Sequence, residues 1–349
     1  MVVVDEGSMV DLASLAELLE RANGARIVIL GDTRQLGAIG GGAPMAALAS
    51  PSVLGTQRLK TIRRQAEEWQ REASMAFSRG EHARAFQAYD DCGDVAWVEG
   101  REAAFDRLVA DWTADLVCHP AGQRLCLAYR HTDVGAINER CRSAYRSAGH
   151  LTGPDVELQA VGRGRRAVPE TISLGVGDRV IFGETIEIAG VSVRNSDMAT
   201  IEAIDTSSAD PTVRFRLDKG VVLETRWSAL VGRRKEGCKV EQRIPRIQHA
   251  YCVSIHSAQG LTVGSGNPTA RIHGSTFVYN SGLGAQSSLV AMTRHVDTCQ
   301  VYVETSRIKD RILARKAARG IMVDRAGRLE APDADDIASS APDTNGPRC

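Results

Sequence analysis

A chain of 349 residues with 43% hydrophobic and 25% charged residues is long enough for two or three domains with sizeable cores, which argues against a disordered or fibrous protein. Lys+Arg and Asp+Glu both number 43, so there is no global basic field, and any nucleic-acid binding must come from a local groove. The 8 cysteines form no C-x-x-C pair, Met1 leads into an acidic turn, and no apolar run is of membrane length; the expectation is a soluble, cytoplasmic protein with reduced thiols and no membrane insertion.

The chain opens with two short apolar runs, Val2-Val3-Val4 and Ile27-Val28-Ile29-Leu30, each closed by carboxylates: Asp5-Glu6 and Gly31-Asp32. Between them Met9 to Arg21 carries apolar residues at helical spacing, so the pattern is strand, helix, strand, a parallel βαβ unit. Ligands of open α/β sheets bind at the carboxyl ends of the strands, which places Asp5, Glu6, Asp32 and Gln35 along one crevice. Taken alone, Asp5-Glu6 reads equally well as a helix entry with acids set against the macrodipole. The glycine-rich run 37–44 lacks the lysine and spacing of a phosphate loop and reads as a turn with Pro44 at a helix start.

Leu59 to Arg64 is expected as a strand. Glu67 to Tyr89 and Arg101 to Leu116 are expected as amphipathic helices, with Trp69, Ala73, Ala76, Phe77, Phe86, Phe105, Leu108, Val109 and Trp112 as core candidates. Arg124 to Tyr129 reads as a buried strand, followed by a helix capped by Thr132 or Asp133 and running through Arg146. Between about 161 and 248 helical periodicity fades. Short β-rich runs appear at 178–182, 199–204, 213–217 and 221–224, separated by Gly, Asn, Asp and Pro turns, a spacing that points to a small antiparallel barrel. Basic clusters flank it, Arg163, Arg165 and Arg166 on one side and Arg233, Arg234 and Lys235 on the other; a solvated charge run and a strand-binding groove both fit them. Ala250 to Ile255 and Val301 to Val303 are further strands. Residues 307–326 read as a basic helix and 327–349 as a disordered tail.

Asp5-Glu6 and Gly31-Asp32-x-x-Gln35-Leu36 run parallel to motifs II and III of superfamily 1 DNA helicases. Thr61-Ile62-Arg63-Arg64-Gln65 resembles motif IV, Ile255-His256-Ser257-Ala258-Gln259-Gly260-Leu261-Thr262-Val263 motif V, and Val290-Ala291-Met292-Thr293-Arg294-His295 motif VI, in matching order. Arg64-Gln65 followed by Glu68 to Ser74 and Ala76-Phe77, with the Thr-Arg-His form of motif VI, resembles the RecD-like helicase part of TraA-type conjugative relaxases. The likeness covers roughly residues 1 to 305.

The resemblance implies an α/β fold of RecA-like P-loop NTPase motor domains with the first truncated: residues 1–55 as its remnant, 56–160 and 249–306 as the second, and 161–248 as an inserted SH3-like β-barrel. It implies ATP and Mg²⁺ as cofactors and single-stranded DNA, with other conjugative transfer proteins, as partners. Asp5 would hold Mg²⁺ through water and Glu6 would orient the attacking water. Gln35, Arg64 and Arg294 would sense the γ-phosphate, Arg294 as arginine finger, with Gln259 and Gly260 beside the nucleotide. His256 and Thr262 would couple the cleft to the DNA track. Arg130 and His131 are either phosphate contacts or solvated loop residues. The sequence departs from the family after Val263, where Gly264-Ser265-Gly266-Asn267-Pro268 intervenes in place of the usual aspartate.

A P-loop needs a lysine directly after glycine, and none of Lys60, Lys219, Lys235, Lys239, Lys309 and Lys316 has that neighbour. The expectation is therefore the C-terminal helicase portion of a larger relaxase, a 5′ to 3′ translocase in the whole protein but unable to hydrolyse ATP by itself. A non-catalytic single-strand-binding module and a fragment of a RecD-like repair helicase stay open beside it.

Overall fold

The computed structural model describes residues 1–38, 42, 44–50, 53–54, 56–57, 59, 61–162, 168–188, 190–232 and 244–307. Both basic clusters beside the β-rich segment, most of the 307–326 helix and the 327–349 tail lie outside the described residues.

In chain order, β1 (Val2–Val4), α1 (Leu12–Ala22) and β2 (Ile27–Ile29) form the opening unit. Its strands pair in parallel, Val2 opposite Ile27 and Val4 opposite Ile29, as the carboxylate-closed apolar runs predict. Asp11 caps α1 by accepting the Ser14 amide at 2.8 Å, and Asn23 ends it in the left-handed region. The short α2 (Pro44–Leu48) starts at its proline.

The helical stretch expected over 67–89 is two helices, α3 (Glu68–Arg79) and α4 (His82–Asp91), because Gly80 at φ 86 stops the first. There follow β3 (Val95–Val98), α5 (Arg101–Cys118), β4 (Gln123–Ala128) and α6 (His131–Ser147). Asp133 does not cap α6. Its side chain is buried in the first turn and accepts from Arg101 Nε at 3.0 Å, while Arg130 stands at the cap position.

Antiparallel structure begins at β5 (Thr152–Val161), which pairs with β6 (Pro169–Val176), so the boundary at residue 161 falls at the end of the first such strand. Next come β7 (Arg179–Phe182), β8 (Ile186–Ile188), β9 (Val191–Val193), β10 (Met198–Asp205), β11 (Thr212–Leu217), β12 (Val222–Arg226) and β13 (Ile247–His249). Their main sheet has the order β12-β11-β10-β7-β13, antiparallel throughout. Leu158, Ala160, Ile172 and Leu174 of the β5–β6 pair share its core with Val180, Phe182, Phe215 and Trp227.

The chain then returns through β14 (Cys252–Ser254), β15 (Gly274–Asn280), α7 (Ala285–Ala291) and β16 (Thr298–Glu304). These complete a parallel sheet of order β14-β4-β15-β16-β3. Alternation along its strands divides two cores. Leu125, Leu127, Val278, Val301 and Val303 face a core that includes Phe77, Tyr89 and Leu289 of α3, α4 and α7. Cys126, Ala128, Phe277, Tyr279 and Tyr302 face Phe105, Leu108, Trp112 and Ile137 of α5 and α6. A sheet covered on both faces is the doubly wound α/β arrangement, and each large apolar side chain buried this way contributes about 1.5–3 kcal/mol.

Where a strand is expected at 59–64, the described residues 61–67 form no ladder. Side chains tie this segment down instead. Gln65 Nε2 donates to the carbonyls of Thr293 (3.2 Å) and His295 (3.4 Å), and Gln70 Nε2 donates to that of Asp297 at 2.9 Å.

Candidate functional site

The carboxylate ending β1 meets the turn that follows β14. Gln259 Nε2 donates to Glu6 Oε2 at 3.0 Å and to Ser8 Oγ at 3.2 Å. Glu6 adopts φ 51, ψ 40, a left-handed backbone that costs a non-glycine residue on the order of 1 kcal/mol and collects at functional sites. Gly260 closes the contact: at φ +79, a Cβ there would stand 3.3 Å from Glu6 Oε1.

Beside this contact lies a cleft of about 710 Å³ whose lining includes Asp32, Gln35, Arg64, Gln65, Thr293 and Arg294. Residues on β2's exit, in the 61–65 segment and after α7 thus share one space. Asp32 accepts Gln35 Nε2 at 3.5 Å. Arg64 Nη1 donates to the Thr293 carbonyl at 2.6 Å. Arg294 is 2% exposed and is held by its own lobe, with Nε on the Val290 carbonyl (2.9 Å), Nη1 on that of Leu261 (3.4 Å) and Nη2 on Thr293 Oγ1 (3.0 Å).

Burial pulls the Arg64 guanidinium below its ordinary range, against which Glu6 acts. Burial and then the neighbouring Arg64 push Arg294 down to about 9, with Glu6 and Asp32 opposing. Two desolvated guanidiniums side by side favour the arrival of an anion, since it repays the cost of their burial. His295, fully buried behind them, is pushed down to about 3 by burial and then by the same two arginines.

The donor set fits a polyphosphate with a water beside it. The Oε1 atoms of Gln35 and Gln259 are buried without hydrogen-bond partners, two acceptors that a donor such as water would satisfy. Asp5 lies just outside, exposed, with Oδ1 accepting the Glu6 amide at 2.9 Å; its hard oxygens suit Mg²⁺.

The residues expected at nucleic acid sit apart from this cleft. Arg130 and His131 are exposed at the carboxyl end of β4, where the ring of His256 tilts against Tyr129 with centroids 6.0 Å apart. Burial, then His131, lowers the His256 pKa. His131 also opens a groove of about 850 Å³ between α6 and the β5–β6 pair, lined by Arg142 and Arg146 among others. Thr262 is exposed and lines a different, smaller pocket with Arg124 and Arg179, so it does not join the His256 cluster. Sequence reading gave no role to Ser8, the partner of Gln259, or to Thr293 within motif VI, which accepts from Arg64 through its carbonyl and from Arg294 through its hydroxyl; such single groups carry no pattern of their own.

A family model described as an AAA domain matches residues 1–100. The conjugal transfer protein TraA of Agrobacterium fabrum is 29% identical over 309 residues, covering 86% of this chain and 24% of that protein. The conjugal transfer protein TraA of Rhizobium radiobacter is 27% identical over 332 residues, covering 92% and 26%. The chain therefore spans about a quarter of the length of these relatives. Among solved structures, Bacteroides Pif1 bound to ssDNA aligns with a TM-score of 0.53 and 15% identity, covering 90% of this chain and 74% of that one. Pif1 helicase from Bacteroides in complex with ADP-AlF3 and ssDNA aligns with a TM-score of 0.52 and 16% identity, covering 92% and 75%. Among the described residues no helix is long and apolar enough to cross a membrane. The chain is thus a RecA-like α/β protein with the fold of the Pif1 helicases, similar in sequence along most of its length to the conjugal transfer protein TraA.

Proposed function

We propose that this chain is the helicase portion of a conjugative relaxase, which in the whole protein translocates 5′ to 3′ on single-stranded DNA at the expense of ATP. The observation that carries the reading is the cleft that gathers Gln35, Arg64 and Arg294 from segments far apart in sequence, with the Glu6–Gln259 contact beside it and Glu6 close enough to act on both guanidiniums. Similarity to TraA points to transfer, and the DNA-bound Pif1 structures support a single strand as partner. In this reading residues 1–55 belong to a first motor domain, 56–160 with 249–306 to a second, and the antiparallel segment to an SH3-like barrel.

Bound nucleotide with Mg²⁺ supplies the phosphoryl group and the ion that balances its charge. Asp5 would hold the ion through water. The carboxylate of Glu6, kept in place by Gln259, accepts a proton from the water it orients, and the unpaired Oε1 of Gln35 fixes that water's second hydrogen. Arg64 and Arg294 leave the Thr293 and Val290 carbonyls to place their N–H groups on phosphate oxygens as the lobes close. His256, Arg130 and His131, at the carboxyl ends of β4 and β14, meet the phosphodiester backbone.

The test is a longer version of the protein that includes a P-loop segment. There Glu6→Gln abolishes unwinding while single-strand binding persists; unwinding at the wild-type rate overturns the assignment. A second reading, a non-catalytic single-strand-binding module, is favoured by one fact: no lysine of this chain follows a glycine. For the 349-residue chain alone it predicts DNA binding without DNA-stimulated ATPase.

A further inference from the structure

Residues 292–297, between α7 and β16, lie outside the helices and strands, yet Met292, Arg294, His295 and Val296 are at most 2% exposed. Buried carbonyls need partners, and in this turn every one is taken. The Val263 amide donates to the Arg294 carbonyl at 2.9 Å and the Ala66 amide to that of Val296 at 2.8 Å. Tyr89 Oη donates to the Met292 carbonyl at 3.0 Å and Gln70 Nε2 to that of Asp297 at 2.9 Å. The carbonyls of Thr293 and His295 are both held by Gln65 Nε2, at 3.2 and 3.4 Å. We propose that Gln65 is a positioning residue for the two arginines of the cleft: it fixes the backbone on either side of Arg294 and frees Arg64 to leave the Thr293 carbonyl. This role rests on the helicase reading above.

Thr293 and His295 are the chain neighbours of Arg294, so one buried amide orients the peptide that enters this arginine and the peptide that leaves His295. Both acceptors are carbonyls, which requires the amide nitrogen of Gln65 to face them. To reach a phosphate, Arg294 must release the Val290 carbonyl that its Nε now holds. A side chain swings to a defined point only from a fixed backbone, and a displacement of about 1 Å at a reacting group can cost 10²-fold in rate.

The second effect concerns Arg64. A carbonyl oxygen has two lone pairs, and that of Thr293 uses them for Arg64 Nη1 at 2.6 Å and Gln65 Nε2 at 3.2 Å. When Arg64 turns to a phosphate, the carbonyl keeps one donor instead of becoming an orphan inside a buried turn, which removes most of the cost of that departure. Gln65 is anchored in turn by Arg71, whose Nη1 donates to the carbonyls of Gln65 (2.8 Å) and Ala66 (2.6 Å). Gln70 makes the same kind of bond as Gln65, but to Asp297 at the far end of the turn, so it supplies a structural counterpart away from both arginines.

The test has two arms. In the 349-residue chain, Gln65→Leu is expected to speed hydrogen exchange at the Val263 and Val296 amides, which bond across this turn, by about tenfold while β15 stays protected. In a longer version that includes a P-loop segment, the same substitution is expected to lower ATP turnover by about 10², with the KM for ATP within about threefold. Added to Arg64→Ala with Arg294→Ala, it costs less than about twofold more, because its effect passes through those arginines. Gln70→Leu lowers the melting temperature to a similar degree but leaves turnover within about threefold. Gln65→Asn keeps the buried group polar and shortens its reach by one methylene; a loss of about tenfold with the same dependence on the arginines is expected, and it decides the case if Gln65→Leu does not fold. Unchanged exchange at Val263 and Val296, wild-type turnover, an equal loss in Gln70→Leu, or an equal loss with and without the two arginines overturns the role. Wild-type turnover by Glu6→Gln overturns the helicase reading and the role with it; the exchange arm, which needs no nucleotide, tells that failure from a failure of Gln65.

Discussion

The side-chain amide of Gln259 rests on the carboxylate of Glu6 at 3.0 Å although 253 residues separate them. This one contact joins the end of β1 to the turn after β14, between a strand of the opening unit and the larger parallel sheet. A hydrogen bond to a charged acceptor is worth about 1.5–3 kcal/mol when buried and less at this half-exposed position. Gln259→Leu is therefore expected to speed hydrogen exchange in β1, α1 and β2 while leaving α5 and β15 protected. Unchanged exchange in the opening unit would mean that other contacts hold the two parts together.

Arg64 and Arg294 share Thr293 as a partner, through its carbonyl and its hydroxyl. In a longer protein with a functional P-loop, Arg64→Ala or Arg294→Ala is expected to lower ATP turnover by about 10³ or more, the scale of a lost arginine finger. Single-strand affinity, measured by fluorescence anisotropy without nucleotide, should stay within about twofold because neither residue lies on the His256 edge. A parallel loss of DNA binding would show that the substitutions disturb the lobe rather than the cleft.

Asp178 is fully buried and accepts from Arg142 Nη2 (2.8 Å), Tyr251 Oη (2.7 Å) and the Gly175 amide (2.7 Å). It fastens the antiparallel segment to α6 and to the residue before β14. Removing it strands a partly buried guanidinium, so Asp178→Ala is expected to cost about 3–5 kcal/mol in urea unfolding. Adding Arg142→Leu should restore part of that loss; strict additivity would show that the two do not act as a pair.

Acid stability rests on opposing groups. His295 is held at about 3 by burial, so as pH falls below 6.5 only the unfolded chain takes up its proton, and folding weakens. Burial lowers His249 and His256 too, which adds in the same direction. Asp94 acts oppositely: burial raises it to about 6, so between pH 6 and its ordinary value of 3.8 the folded chain binds the extra proton and gains stability. Asp94→Asn is therefore expected to steepen the loss of stability between pH 6 and 4.5, by about 0.5–1 kcal/mol per pH unit once solvent screening is allowed for. Urea melts at pH 6.5, 5.5 and 4.5 measure it, and equal slopes would refute the raised Asp94 pKa.

Single-strand binding by the 349-residue chain should be steeply salt dependent, since net charge is zero and affinity must come from local phosphate contacts. Arg130→Ala is expected to weaken binding for all sequences and to reduce the slope of log K against log salt by about 0.7. An unchanged slope would place Arg130 in solvent, the other reading its sequence context allows.

Where order is local, the sequence was enough. The valine run closed by Asp5-Glu6 encodes a strand and its rim, and the apolar spacing of α5 encodes a helix, because period and capping are read within a few residues. The three motifs that supply Arg64, Gln259 and Arg294 carry their identity in the same short-range way. Strand β15 escaped notice because Gly274-Ser275-Thr276 shows no alternation; it is buried by lying between β4 and β16, a property of the sheet. The expected strand at 59–64 gave way because Gln65 and Gln70 found carbonyls at 293–297, more than two hundred residues on. Asp133 lies two residues inside α6, past the cap position, and pairs there with Arg101. Composition and motif order thus determined the fold class and the candidate chemistry. Only tertiary packing decided which of those groups share a cleft, since a hydrogen bond or ion pair depends on distance in space, and no pattern in the chain specifies that distance for Glu6 and Gln259.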